Sequence, residues 1–274
     1  MLEKRFDYKG TGAGLFGNLF VGVLLTIITL GIYLPWFVVK LYKYVLENTI
    51  MKVGGSEVRF DFRGSGAELF GTWIIGVILS IITLGIYYSW FVVSVSKFFA
   101  ANVVARDADG REYTGTFNGT GGALFGTMFV GTLLTIITLG IYCPWFCINL
   151  ARYFAGNMVI MHNGSAVGTF KFDGAGGTLF GKVFVGVILS VITFGIYFSW
   201  FIVDMAKYFA QETTVEFNGV VNRFRFEGTG VKLFVINLIG TILSGLTFGI
   251  YWFWFMTNQL KFKMENMVVV GPGE

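Results

Sequence analysis

The chain has 274 residues, of which 55% are hydrophobic and 13% charged, and its 20 Lys and Arg against 16 Asp and Glu leave a formal net charge of +4. Soluble domains average about 25% charged residues, so this composition points to a bilayer, and so small a basic excess argues against a nucleic-acid partner. Two cysteines, Cys143 and Cys147, and one histidine, His162, exclude a disulfide scaffold and a zinc site built from Cys and His.

The charged stretch Met1 to Gly10 does not read as a signal peptide, and Leu2 to Lys9 within it reads as a strand. Gly10-Thr11-Gly12 then punctuates the strand and lets a helix begin. That helix, apolar all round from about Gly14 to Gly31, has 18 residues. At 1.5 Å per residue it measures roughly 27 Å, close to a hydrocarbon core of about 30 Å. Gly31 suits the left-handed residue that ends a helix, and Pro35 suits the first turn of a second helix from about Trp36 to Asn48. Ile50 to Phe62 follows as a β-hairpin around Gly54-Gly55.

The same unit then recurs. Thr-Leu-Gly-Ile-Tyr, or its Thr-Phe variant, places a glycine at Gly31, Gly85, Gly140, Gly195 and Gly249, at intervals of 54, 55, 55 and 54 residues. A fixed period of this kind decides the architecture before any local reading does. The expected boundaries are 1–54, 55–109, 110–164, 165–219 and 220–274, five copies within one repeat-built membrane domain. Leu2 to Lys9 matches the second strand of a hairpin and Asn266 to Gly271 the first, so pairing the two would close the array. The expected fold is therefore an α-helical polytopic membrane protein with an extramembrane β layer. Each repeat contributes a strand, a transmembrane helix, a second shorter helix and a strand, all closed into a pseudo-fivefold ring. An open arc is the competing geometry, and the second helix is left open between spanning and re-entrant. Lys and Arg gather on the hairpin side, which by the positive-inside rule puts the hairpins and both termini in the cytoplasm of a multi-pass protein. Tyr and Trp at the helix tips are expected to form a belt at the far interface.

A GTG-x-x-LF opening, an apolar run ending in TLGIY and a PW or SW start to the next helix resemble the YjgN family of bacterial inner-membrane proteins, a group of unknown function. All five copies fit, although the last carries Val235 where the others have Gly17, Gly71, Gly126 and Gly181. The resemblance implies a bacterial inner-membrane location and brings no reaction or binding residues with it.

Polar groups at membrane depth are the natural candidates for function. Twelve residues past each repeat glycine lies a basic residue: Lys43, Lys97, Arg152, Lys207 and Lys261. One turn nearer the tip is a second polar layer of Lys40, Ser94, Asn149, Asp204 and Asn258. Around one axis these would stack as two hoops and favour anions or anionic head groups, or they would simply snorkel and set topology. A third layer, Thr29, Thr83, Thr138, Thr193 and Thr247 on the first helices, suits close helix packing or pore lining. The leading expectation is a channel or pore with a bias toward anions. The alternative is a non-conducting scaffold whose cytoplasmic β layer binds a protein or lipid. No nucleophile–base set, metal-ligand spacing or cofactor motif is present, so neither an enzyme nor a cofactor is expected; the expected partner is the lipid bilayer.

Overall fold

The computed structural model describes residues 4–272, and in it every copy has the same four elements. The first copy contains β1 (Lys4–Tyr8), α1 (Gly12–Ile28), α2 (Leu34–Glu47) and β2 (Thr49–Val53). The second contains β3 (Ser56–Phe62), α3 (Gly66–Ile82), α4 (Tyr88–Asn102) and β4 (Val103–Arg106). The third contains β5 (Glu112–Phe117), α5 (Gly121–Ile137), α6 (Cys143–Gly156) and β6 (Met158–His162). The fourth contains β7 (Ser165–Phe172), α7 (Gly176–Ile192), α8 (Phe198–Gln211) and β8 (Thr213–Phe217). The fifth contains β9 (Val220–Phe226), α9 (Gly230–Leu246), α10 (Trp252–Glu265) and β10 (Met267–Val270).

Local chemistry sets these bounds. At the start of α1 the Thr11 hydroxyl accepts the Gly14 N–H at 3.1 Å, and at the start of α3 Ser65 and Glu68 form a reciprocal capping box. At the far end the Thr29 hydroxyl donates to the Leu25 carbonyl at 2.7 Å and accepts the Tyr33 N–H at 2.9 Å. Leu30 and Gly31 between them are both left-handed, with φ of 50° and 92°. Thr83, Thr138, Thr193 and Thr247 make the same pair of bonds. The repeated pentapeptide is thus a tip turn stapled by its threonine.

That staple corrects the expectation of transmembrane helices. The expected 18-residue span from Gly14 to Gly31 is a 17-residue helix, Gly12–Ile28, about 25 Å long, followed by the turn. Among the described residues no helix is long and apolar enough to cross a membrane, so the α-helical polytopic class does not hold. The β layer is likewise more than a set of hairpins: the strands form a closed antiparallel barrel in the order β1-β10-β9-β8-β7-β6-β5-β4-β3-β2. Closure runs through Lys4↔Val269 and Arg5↔Val268, so the strands nearest the two chain ends are neighbours. The strand read from Leu2 is described only from Lys4; Leu2 and Glu3 lie outside the described residues. Gly54-Gly55, Asn163-Gly164 and Asn218-Gly219 take positive φ at both positions, as two-residue hairpin turns matching strand twist require.

The helices close a ring of their own, each packed on the next and α10 on α1. Within a copy, Gly22 admits the Phe37 ring, where a Cβ would overlap it, and Gly76, Gly131, Gly186 and Gly240 do the same for Phe91, Phe146, Phe201 and Phe255. Between copies, Trp36 lies against Gly66 and stacks near Phe70, with ring centroids 5.0 Å apart. The Tyr44 hydroxyl meanwhile bonds both the N–H and the carbonyl of Thr11 at 2.9 Å. Each second helix therefore bridges the starts of two successive first helices. The five repeat tryptophans thus pack against the start of the next copy, while Tyr88 and Trp252 stay exposed beside the tip turns together with aliphatic and Phe side chains.

Candidate functional site: the barrel lumen and the helix tips

The alternation along the strands divides the barrel wall. Phe6, Phe60, Phe170 and Phe224 point into the lumen at one level, with Phe6–Phe60 and Phe170–Phe224 centroids 6.3 and 6.5 Å apart. The corresponding residue of β5 is Gly115, paired with Ile160, and opposite Phe60 on β4 stands Ala105. The fivefold pattern is broken on that side alone, where backbone of α4 takes the place of a ring: a Cβ on Gly115 would come 2.7 Å from the Ala100 carbonyl oxygen.

Two cavities result. One of about 460 Å³ lies within the barrel, and one of about 490 Å³ lies deeper, against α4 and α6, where Val95, Phe99 and Phe154 line it. Phe60, Ala105, Tyr113, Ile160 and Phe170 line both, so the two adjoin along the axis on the Gly115 side. No charged residue lines the deeper one. The outer one carries charge at Lys4, Asp107 and Asp109. Asp107 accepts the backbone N–H groups of Asp109 and Arg111, and Asp109 pairs with Arg111 at 2.9 Å. Lys4 donates to the buried Asn222 side chain at 3.3 Å and makes no ion pair among the described residues; burial holds its pKa below the usual lysine value.

Away from the lumen, charges face outward and link strands. Arg63 and Arg106 donate to Glu112 at 2.7 and 2.8 Å, and Lys52 to Asp7 at 2.7 Å. His162 places Nδ1 2.8 Å from the Glu112 carbonyl oxygen, its ring 4.9 Å from that of Tyr113.

None of the ten residues of the two polar layers lines either central cavity. Lys97 and Arg152 lie two residues from the lining residues Phe99 and Phe154, hence about 200° around their helices. Lys43 is exposed beside Glu47 at 3.7 Å, and Arg152 donates to the Gly174 carbonyl of the next copy at 2.6 Å. Lys207 and Lys261 are half-buried. In the second layer Asp204 pairs with Lys182 at 2.9 Å, Ser94 donates to the Trp90 carbonyl, Asn149 is half-buried, and Lys40 and Asn258 are exposed. The threonines of the third layer are spent on the tip turns. Among the described residues no group of three or more His, Cys, Asp or Glu side chains could hold a metal ion.

The tips form the second notable surface. Leu30, Leu84, Leu139, Phe194 and Phe248 are 94–99% exposed, and all five are left-handed, with φ of 49–50°. Ile28, Ile32 and their counterparts in every copy, with Ile27 and its counterparts in the first four, extend the same apolar surface around each tip. Singly exposed apolar residues are ordinary; here an exposed Leu or Phe recurs at every one of the five tips.

Sequence reasoning missed the lumen residues because it looked for what the copies share. Lys4, Val58, Tyr113, Gly168 and Asn222 occupy one register, two residues before the Phe or Gly115 level, and differ in every copy. That divergence was the available signal.

The fold thus defines a class: a five-copy antiparallel barrel with a collar of helix pairs and a lumen that is apolar in its deeper part. The chain matches the family described as bacterial protein of unknown function, DUF898, over residues 3–55, 57–116, 112–164 and 167–219. It belongs to that family, as a YjgN-like member. Over 92 residues it is 35% identical to Inner membrane protein YjgN of Salmonella typhimurium, an alignment covering 34% of this chain and 22% of that protein. Over 65 residues it is 46% identical to the protein of the same name from Escherichia coli K12, covering 24% of this chain and 15% of that protein. The matched stretch is thus about a fifth or less of the length of these relatives. No solved structure matches the chain.

Proposed function

We propose that the chain is a non-conducting scaffold on the bacterial inner membrane. Its five helix tips are buried in one leaflet, and its barrel is held in the cytoplasm to bind a partner. The observation that carries this reading is an internal contrast. Where this chain needs a non-glycine residue at φ near 50° in a hairpin turn, it uses Asn163 and Asn218; in all five tips, at the same φ, it uses Leu or Phe. Left-handed backbone costs an ordinary L-residue about 1–2 kcal/mol, and Asn tolerates it best. A strained, fully exposed Leu or Phe in five copies makes physical sense when burial in lipid returns roughly 1.5–3 kcal/mol for each side chain. The relatives named inner membrane proteins support the location. An anion-selective pore is disfavoured by the apolar middle of the lumen and by basic layers that line neither central cavity.

The test replaces Leu30, Leu84, Leu139, Phe194 and Phe248 with Asn. Because Asn relieves the backbone strain, the variant should melt at a higher temperature in detergent and yet float at least tenfold less with lipid vesicles than the wild type. Unchanged flotation would overturn insertion by the tips. Ion flux across vesicles bearing the wild-type chain would overturn the non-conducting half of the reading.

A further inference from the structure

We infer that the barrel lumen is a binding site for a single-chain fatty carboxylate, its chain running through the two adjoining cavities and its head group on Lys4. This deepens the scaffold reading by giving the barrel a ligand, and it rests on geometry separate from the tips.

Shape is the first argument. From the level of Lys4 to that of Tyr8, the layer that in β5 is Phe117, the strands advance four residues, roughly 13 Å at 3.3 Å per residue. The deeper cavity continues past Phe117 and Phe99 to Val95, a further helical turn of about 5 Å. Four Phe rings narrow the passage, and Ala105, opposite Phe60, leaves room on one side. A long space open along one edge suits one extended chain better than a ring system or a two-chain lipid. Each cavity falls within the 300–1,000 Å³ typical of small-molecule sites.

Polarity is the second argument. The deeper walls offer no charge, and their Ser96 hydroxyl is already committed to the Val92 carbonyl at 2.8 Å. At the outer end the two carboxylates are engaged with Arg111 and backbone N–H groups, whereas the partner of Lys4 among the described residues is a neutral amide. Asn222 is itself buried, and its Nδ2 donates to the Val220 carbonyl at 2.9 Å, so it fixes the position of the ammonium group without neutralising it. Lys4 is half-buried, so a ligand carboxylate beside it would make a charge-assisted hydrogen bond partly shielded from water.

The experiment uses the full chain in detergent and a photoreactive palmitate analogue with a diazirine in its chain, with labelled residues mapped after irradiation. Labelling should fall on the lumen around Ala105, Ile160 and Phe170 and be displaced by both palmitate and hexadecanol. Ala105→Trp, which fills the open side, should reduce it several-fold. Lys4→Met, at the cavity rim, should weaken displacement by palmitate roughly tenfold and leave displacement by hexadecanol unchanged, a contrast that a general loss of folding would not produce. Labels confined to the tips and outer helix faces would overturn the proposal, as would equal effects of Lys4→Met on palmitate and hexadecanol. The five-Asn tip variant should still label its lumen, so failure of membrane docking and failure of ligand binding are separately visible.

Discussion

Glu112 sits on the outer wall of the barrel beside the one stretch of lumen that lacks a phenylalanine. It accepts from Arg106 on the neighbouring strand and from Arg63 just past the strand beyond, tying three segments together where the interior packs least. These two side-chain hydrogen bonds are the main cause holding its carboxyl below the ordinary value of 4.5. A depressed carboxylate stabilises the fold fully above its unfolded value and loses that contribution as pH falls through the lower, folded value. Melting temperatures followed against pH should therefore show a constant gap between wild type and Glu112→Gln near neutrality, narrowing as acid protonates the carboxylate below its ordinary value of 4.5. A gap that does not narrow at any acid pH at which the fold persists would mean that Glu112 acts through packing instead of charge. Residues of this kind were partly legible beforehand. Alternation in Arg59-Phe60-Asp61-Phe62-Arg63 separates an aromatic face from a charged one in any strand. Which face closes on a lumen, and that Ala105 stands there opposite Phe60, requires the register across β3, β4, β5 and β6.

At the scale of the element, the first helix and its tip turn explain both what was readable and what was misread. The period of the pentapeptide identifies the repeat from the sequence alone, and Gly31 correctly marks a left-handed position. Hydropathy, however, counts Thr29 to Tyr33 as more of the same apolar helix, because the turn is as apolar as what precedes it. What ends the helix is a directional effect invisible to any sum: one hydroxyl donates back to Leu25 and accepts forward from Tyr33. Thr138 makes the equivalent bonds to Leu134 and Tyr142. Thr138→Val keeps the shape and deletes both bonds, and should cost about 1 kcal/mol in a detergent melt, whereas Thr138→Ser should cost much less. A nearly silent Thr138→Val beside a costly Thr138→Ser would assign the role to the methyl group and remove the staple as the reason for five threonines. The same local view explains Gly22 and its counterparts, small because a phenylalanine of the partner helix occupies the space a side chain would need.

For the whole molecule the decisive property is closure, since a ring makes equal use of all five copy-to-copy contacts and an arc uses only four. The contact that closes the helix layer is Trp254 of α10 against Gly12 and Phe16 of α1, with Trp254 and Phe16 centroids 6.4 Å apart. Its internal counterpart is Trp90 against Gly121 and Phe125, with centroids 5.7 Å apart. The two tryptophans are almost equally exposed, at 37% and 36%, so their truncation removes similar buried area. Trp254→Ala and Trp90→Ala should therefore destabilise the protein alike, by about 2 kcal/mol each, measured by far-ultraviolet circular dichroism so that the readout does not depend on the residue removed. Were the array open in solution, Trp254→Ala would be nearly silent while Trp90→Ala kept its full effect. A similar cost for both places the burden of closure on side-chain packing in the helix ring as well as on the short β1–β10 ladder. With both rings closed, the lumen keeps its shape without any one copy having to repeat the others inside it. That leaves the inward positions of the strands free to diverge, which is where Lys4, Asn222 and Gly115 are found.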